Sequence, residues 1–223
     1  MAYATMRSTR LARALAVIVV VFLAYSIPPY LTGGTRVQST FGLHYPLLVG
    51  HVLFASTAMV CAVAQIWPGL RHRHPVLHRR TGRVYVAMAI PAAVCAVVIG
   101  AATPFGPLVR ASDVALGVLW LWFTVDGFVA GRQRRFGAHR RQMLRSATLT
   151  MSIITNRIWT PVLYPGFEPL RDSVFGGSEE KYLWVVAGMG AWLGWTLPLL
   201  LLQWCMGRQA ARTRAQPPSL SGV

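Results

Sequence analysis

The sequence predicts an all-α protein, a bundle of helices that crosses a membrane several times. Of its 223 residues, 54% are hydrophobic and only 13% are charged, whereas a soluble domain usually carries about 25% charged residues. Long apolar runs alternate with short connectors in which arginine is concentrated, which is typical of a multi-spanning membrane protein. No run alternates with the period of a membrane strand, so the pattern favours helices over a β-barrel.

The net charge of +16, from 22 basic and 6 acidic residues, is high enough to suggest a nucleic-acid partner. A nucleic-acid-binding protein carries its basic residues on a soluble surface, whereas here they lie between apolar runs. We therefore expect no nucleic acid. Three cysteines, Cys61, Cys95 and Cys205, each lie inside an apolar run without metal-ligand spacing, which indicates apolar packing and no metal site.

Six segments are long enough to cross the hydrocarbon core, which takes about 20 helical residues. They cover residues 12–31, 46–68, 83–103, 108–130, 146–165 and 182–206. The first exceeds the apolar core of a signal peptide, so we expect it to be retained as a helix. The fifth is the most polar, because it contains Asn156 and Arg157. These spans predict one membrane domain over residues 1–206, followed by a disordered cytoplasmic tail at 207–223.

The distribution of arginine predicts the orientation of the spans. The N-terminal segment, the second and fourth connectors and the C-terminal tail carry most of the arginines. The other connectors hold few basic residues, namely Arg36, Arg110, Arg171 and Lys181. Because positive charge stays on the cytoplasmic side of a membrane protein, both termini are expected in the cytoplasm. An even number of spans agrees with this orientation.

Two similar motifs occur in the arginine-rich connectors, "LHRRTGRVY" from Leu77 and "AHRRQMLRS" from Ala138. Each places His-Arg-Arg at the cytoplasmic boundary, before an outward-going helix. Duplication of a helical pair, spans two and three with spans four and five, would produce this arrangement. Coincidence is the alternative, because arginine is frequent in every inner connector.

Three interpretations of the paired motifs stay open. In the first, the arginines maintain orientation and bind anionic lipid headgroups, each contributing about 1 kcal/mol. In the second, His78 and His139 come together as cofactor-binding axial ligands of a b-type haem. In the third, the arginines and two helix N-termini form an anion site for phosphate or diphosphate. The candidate anion-binding residues are Arg79, Arg80, Arg83, Arg140, Arg141 and Arg145.

Polar residues inside the spans predict an outward-opening cavity. A charged side chain near the bilayer centre costs about 2.5–3.5 kcal/mol, so it should face the bundle interior and find a partner. We expect His51, Asp113 and Arg157, the catalytic candidates, to line one cavity with Asn156. An Asp113–Arg157 pair would set the charge of His51. Solvation at the membrane interface is the alternative for each of these residues.

Other residues are given structural roles. Asp126 is expected to pair with a cytoplasmic arginine. His44, His72 and His74 are expected to be solvated in connectors. Gly190 and Gly194, four residues apart, are expected to let helix backbones approach closely, as are Ala96 and Gly100.

The segments "GHVLF" in span two, "PVLHRRTGRVYV" entering span three and "AHRRQMLRSATLT…NRIW" entering span five resemble an uncharacterised bacterial membrane family, domain of unknown function 2306. The resemblance covers about residues 45 to 200. It implies a multi-helix fold in the bacterial cell (inner) membrane and no established chemistry. A looser similarity, in architecture and paired histidines, is to cytochrome b561-like electron carriers, which hold two histidine pairs on four core helices. Here the outer pair is incomplete, because the position equivalent to His51 holds Ser112 or Asp113.

Three functions are therefore expected as alternatives for a functionally unassigned membrane protein. The first is redox chemistry through a b-type haem or quinone. The second is an intramembrane enzyme that acts on a lipid-like or isoprenoid substrate, and the third is a small-molecule transporter. A glycine-rich phosphate loop, a nucleophile elbow and the common zinc motif are absent from the sequence. A non-catalytic partner that recruits acidic lipid or protein is the remaining possibility.

Overall fold

The computed structural model describes residues 2–35 and 37–215, and the side chains of 9–35 and 37–212. Its helices are α1 (Ala2–Ser26), α2 (Pro28–Leu31), α3 (His44–Ile66), α4 (Leu70–Arg73), α5 (Pro75–Ala101), α6 (Pro107–Arg132), α7 (Phe136–Phe167), α8 (Arg171–Phe175) and α9 (Glu179–Ala215), with a 3-10 turn at Glu168–Leu170. This part of the chain contains no strand, so the all-α prediction is confirmed.

Each predicted span corresponds to one of the long helices α1, α3, α5, α6, α7 and α9. Five of the helices in the described part of the chain are long and apolar enough to cross a membrane, and α7 is the exception. Helix α7 runs for 32 residues but interrupts its apolar sequence with arginine, asparagine and several hydroxyl side chains. The membrane bundle is therefore supported with five candidate spans, and a sixth crossing by α7 stays a prediction.

Several helices extend beyond the predicted spans, because hydropathy marks the apolar part of a helix and not its ends. Helix α5 begins at Pro75 and α7 at Phe136, so His78 and His139 are each the fourth residue of a helix. Arginine is a good helix former and supports these polar first turns. Helix α9 continues past residue 206 to Ala215, and residues 216–223 of the predicted tail lie outside the described residues.

The first predicted span is divided into two helices. Helix α1 ends at Ser26, and Pro28 and Pro29 begin the short helix α2. Proline has no backbone N–H and cannot continue the hydrogen bonding of the preceding helix. The chain therefore bends at Ile27 instead of continuing straight to Leu31.

The long helices pack in chain order. Helix α3 packs on α5, α5 on α6, α6 on α7, and a contact between α3 and α7 closes the ring. Helix α9 packs against both α6 and α7, whereas α1 lies at the periphery and packs chiefly on α3. Residues 67–74 and 133–135 join helices at one end of the bundle, which we call the arginine-rich end. The arginine-poor end carries α2 and α8.

Glycine allows close approach of α7 to α9 and of α5 to α6. A Cβ added at Gly194 would lie 2.9 Å from Cα of Asn156 and 3.0 Å from its backbone N, and one added at Gly190 would lie 2.6 Å from Oγ1 of Thr160. A Cβ added at Gly100 would lie 2.6 Å from Cβ of Asp113. The predicted close approach at these glycines is confirmed, and it brings Asn156 and Asp113 to the neighbouring helices.

Replacing Gly194 by alanine is expected to lower the melting temperature. The new methyl group overlaps the α7 backbone, and overpacking of this kind costs about 1–3 kcal/mol, more than the gain of about 1 kcal/mol in helix propensity. Gly207→Ala is the matched control, because nothing lies within 4 Å of its added Cβ. Thermal unfolding in detergent, followed by circular dichroism, measures both. Equal melting temperatures for the two variants would contradict the close approach.

Candidate functional site

A cavity of about 480 Å³ lies toward the arginine-poor end, between α1, α3, α5, α6, α7 and α9. All four residues expected in one cavity lie in its wall: His51, Asp113, Asn156 and Arg157. The structure therefore brings together side chains from three helices that are distant in sequence. Their catalytic role stays a prediction.

The cavity has a polar part and a deeper apolar part. Its apolar walls include Leu48, Met59, Leu116, Trp120 and Leu149. On α6, Trp120 follows Asp113 by two helical turns, a rise of about 10 Å toward the arginine-rich end. Helix α7 runs in the opposite direction, so on it Leu149 lies nearer the arginine-rich end than Arg157 does. A ligand that fills the cavity would therefore meet polar groups at one end and apolar side chains at the other.

His51 is fixed by a bond to the neighbouring helix. Its Nδ1 lies 2.9 Å from the carbonyl oxygen of Ala92 on α5. A carbonyl only accepts, so Nδ1 carries a hydrogen, and in the neutral ring Nε2 keeps its lone pair. Nε2 has no hydrogen-bond partner among the described residues. The imidazole is thus oriented in the cavity wall with a free proton acceptor.

Asp113 occupies the wall opposite a glycine. The missing side chain of Gly100 on α5 leaves room for the carboxyl-bearing residue of α6. Among the described residues, Asp113 has neither a hydrogen-bond nor an ion-pair partner. The expected Asp113–Arg157 pair is therefore wrong in this structure. The sequence predicts how deep each residue lies along its helix but not how the helix is rotated about its own axis. That rotation decides whether the side chains of Asp113 and Arg157 meet.

Arg157 is not covered by other residues of the bundle and lies in the same cavity wall. It has no partner in the described part of the chain, so its guanidinium is available to a ligand. The long side chain of arginine can cover apolar surface while its charge stays in water. Its neighbour Asn156 packs against Gly194 of α9 and is contacted by the Thr160 hydroxyl, whose Oγ1 lies 3.4 Å from Oδ1.

His44 differs from its prediction. It is the first residue of α3 and only 2% exposed, so it is not a solvated connector residue. Its Nδ1 lies 2.8 Å from Oγ1 of Thr40, which donates to the carbonyl of Ala102. This bonding ties the segment before α3 to the end of α5 and makes His44 part of the cavity wall.

His78 and His139 lie at the arginine-rich end, close enough for their charges to interact. Nδ1 of His139 lies 2.8 Å from the carbonyl oxygen of Gly127, which is how ligand histidines are commonly oriented. Nδ1 of His78 is buried without a protein partner. The donor set suits a haem, but neither histidine lines the 480 Å³ cavity. A haem between them stays a prediction.

The candidate anion-binding arginines divide into two groups. Five are exposed at the arginine-rich end, namely Arg79, Arg80, Arg83, Arg140 and Arg141. Arg145 points inward instead, where it donates to Oε1 of Gln142 at 2.6 Å and to Oε1 of Gln203 at 3.0 Å. Its guanidinium also lies 5.5 Å from the centre of the Phe123 ring. Arg145 therefore joins helices and is not part of an exposed anion site.

Asp126 reaches an arginine only indirectly. Its Oδ2 accepts a hydrogen bond of 2.5 Å from Nε2 of Gln142, and Oε1 of the same glutamine accepts a hydrogen bond from Nη1 of Arg145. The glutamines of this network were not predicted as functional residues. For Gln142 the signal in the sequence is an amide one helical turn before a hydroxyl residue of the same predicted span, Ser146.

The comparisons with known proteins agree with a membrane protein of unassigned chemistry. A family model described as "Predicted membrane protein (DUF2306)" matches residues 48–203, which runs from the second turn of α3 to the middle of α9. No curated protein and no solved structure matches the chain. The looser similarity to cytochrome b561-like carriers gains no support from them. Because the matched region covers more than half of the chain, this protein belongs to the DUF2306 family of membrane proteins.

Proposed function

We propose that this protein is an intramembrane enzyme acting on a lipid-like or isoprenoid substrate held in the cavity. The observation that carries the proposal is that one cavity joins an apolar interior to unpaired polar side chains. An ionisable residue within a membrane bundle is costly and is commonly retained for function. A substrate with an apolar chain and a polar head matches both parts of this cavity.

Each polar residue takes a separate role. The free Nε2 of His51 accepts a proton from the substrate, and the carboxyl of Asp113 supplies one at a different carbon. One proton leaves and one arrives, so the reaction moves a double bond without net oxidation. Arg157 holds an anionic head group, because a guanidinium binds phosphate with paired hydrogen bonds.

Redox chemistry through a b-type haem is the second candidate. It is favoured by the proximity of His78 and His139 and by the carbonyl bond that orients His139. A bound haem would supply one-electron transfer, and the two imidazoles would hold its iron. The exposed arginines beside them would bind its propionates or anionic lipid headgroups.

The orientation and location follow from the same charges. We infer that the arginine-rich end faces the cytoplasm of a bacterial cell, with both termini on that side of the cell (inner) membrane. The inference includes a sixth crossing by α7. It is supported by the packing of α7 along α6 and α9, from His139 beside Gly127 to Asn156 beside Gly194.

A test of the proposed reaction uses farnesyl phosphate as the probe, in heavy water. The wild-type protein is expected to bind it saturably and to introduce deuterium at carbon, detected by mass spectrometry. Asp113→Asn and His51→Gln should bind the probe but lose the deuterium uptake, because each removes one proton-transfer group.

The head group is tested separately in the same assay. Arg157→Gln should weaken binding of farnesyl phosphate by about tenfold or more, since a charged hydrogen bond contributes about 1.5–3 kcal/mol. Binding of neutral farnesol should be unchanged, and Arg140→Gln, at the opposite end, should alter neither. Saturable binding without deuterium uptake in the wild type would refute the reaction, and absence of binding would refute the site.

The haem alternative predicts a Soret band in protein purified from haem-replete cells. His78→Ala or His139→Ala should abolish the band, because each removes an iron ligand. The control His72→Ala, in the exposed helix α4, should leave the Soret band unchanged. A colourless wild-type preparation would remove this candidate.

Reporter fusions test the crossing by α7. Green fluorescent protein placed after Arg134 is expected to fluoresce, whereas alkaline phosphatase placed after Gly177 is expected to be active, because the two connectors lie on opposite sides. The same reporters after Gly69 and Phe105 provide controls for helix α5. Fluorescence of green fluorescent protein after both Arg134 and Gly177 would place both connectors in the cytoplasm and show that α7 does not cross.

A further inference from the structure

Four hydroxyl side chains form a buried cluster in the middle of the bundle. They are Tyr85 on α5, Thr124 on α6, and Ser146 and Thr150 on α7, and none is more than 5% exposed. The Oη of Tyr85 lies 2.5 Å from Oγ of Ser146 and 2.8 Å from Oγ1 of Thr150. Oγ of Ser146 lies 2.7 Å from Oγ1 of Thr124. The cluster therefore joins three helices at a depth where water is scarce.

The hydrogens of this cluster have more than one arrangement. Besides the three contacts between hydroxyls, Thr124 contacts the carbonyl of Trp120 at 2.7 Å and Thr150 contacts that of Ser146 at 2.9 Å. Each hydroxyl has a single hydrogen, so four hydrogens serve five contacts. At least one contact between oxygens is always without a hydrogen. A hydrogen can therefore shift from one contact to the next, which is what a proton relay requires.

One end of the cluster borders the cavity. Thr150 is part of the cavity wall, as is Trp120, whose carbonyl accepts from Thr124. The same cavity holds His51 and Asp113. A proton that reaches Thr150 can therefore pass to the cavity without crossing further protein.

The other end points toward the arginine-rich end along α7. Gln142 lies one turn from Ser146, a rise of about 6 Å, and donates to the carboxylate of Asp126. Nε of the adjacent Arg145 is buried without a protein partner. A buried N–H of this kind is normally satisfied by water, and the same guanidinium donates to Gln142, which bonds to Asp126.

We propose that this line of groups is a proton path between the arginine-rich end and the cavity. In this proposal Asp126 receives a proton from the aqueous side, and water bound at Nε of Arg145, the residue before Ser146, would pass it to the hydroxyl cluster. Each hydroxyl accepts a hydrogen on its oxygen and releases its own to the next, through Tyr85 to Thr150. One proton enters, one leaves, and no electrons are exchanged. The path would let the cavity exchange protons with the aqueous side, and its existence does not depend on the proposed reaction, which consumes no net proton.

Proton flux into liposomes tests the path directly. Purified protein is reconstituted with a pH-sensitive dye inside, and a potassium gradient with valinomycin drives protons inward. Wild-type proteoliposomes should acidify faster than protein-free liposomes. Tyr85→Phe keeps the ring but removes the central hydroxyl, so the protein-dependent rate should fall about tenfold or more. Ser146→Ala should give the same loss.

Thr196→Ala is the matched control. It also removes a hydroxyl from a membrane helix, but that hydroxyl bonds only to the carbonyl of Trp192 on its own helix α9. Its rate should equal that of the wild type. A wild-type rate equal to that of empty liposomes, an unchanged rate in Tyr85→Phe, or an equal loss in Thr196→Ala would each overturn the proposal. If Tyr85→Phe does not fold, as judged by its thermal transition, Ser146→Ala decides the outcome.

Discussion

Helices in a bilayer gain little from contact between apolar side chains, because the surrounding lipid is equally apolar. Their association depends instead on how closely their backbones can approach. In this bundle the approach occurs at glycine, between Gly194 and the backbone of Asn156 and between Gly100 and Asp113. Both contacts place a polar residue of one helix against the bare backbone of another. The packing that holds the helices together is therefore also what positions the polar side chains of the cavity.

The polar groups fall into two classes that differ in how they are satisfied. One class consists of hydroxyl, amide and guanidinium groups that bond across helices, as Arg145 bonds to Gln142 and Gln203 and Tyr85 bonds to Ser146. The ionisable groups of the cavity do not, since Asp113 and Arg157 have no partner in the described chain. Satisfied networks add rigidity. Unsatisfied ones at the wall of a cavity leave bonding capacity for a ligand.

The sequence was sufficient to predict the helices and the convergence of His51, Asp113 and Arg157, because a charge within a span has to face the bundle interior. It was insufficient for the pairing of Asp113 with Arg157, which depends on helix rotation. The early starts of α5 and α7 were also missed, because a polar helical turn has no apolar signal. The cluster around Tyr85 had no distinct signal either, since serine and threonine in membrane helices often bond only to their own backbone.

Helix α1 forms one wall of the cavity through Phe22, Leu23 and Ser26, yet it precedes the matched family region, which starts at residue 48. The groups proposed for chemistry all lie within that region. The width of a ligand that the cavity admits is therefore set partly by α1, whereas the groups proposed for chemistry lie on other helices. A protein that shared the matched region but had a shorter or bulkier leading helix would keep His51, Asp113 and Arg157 and admit ligands of different width.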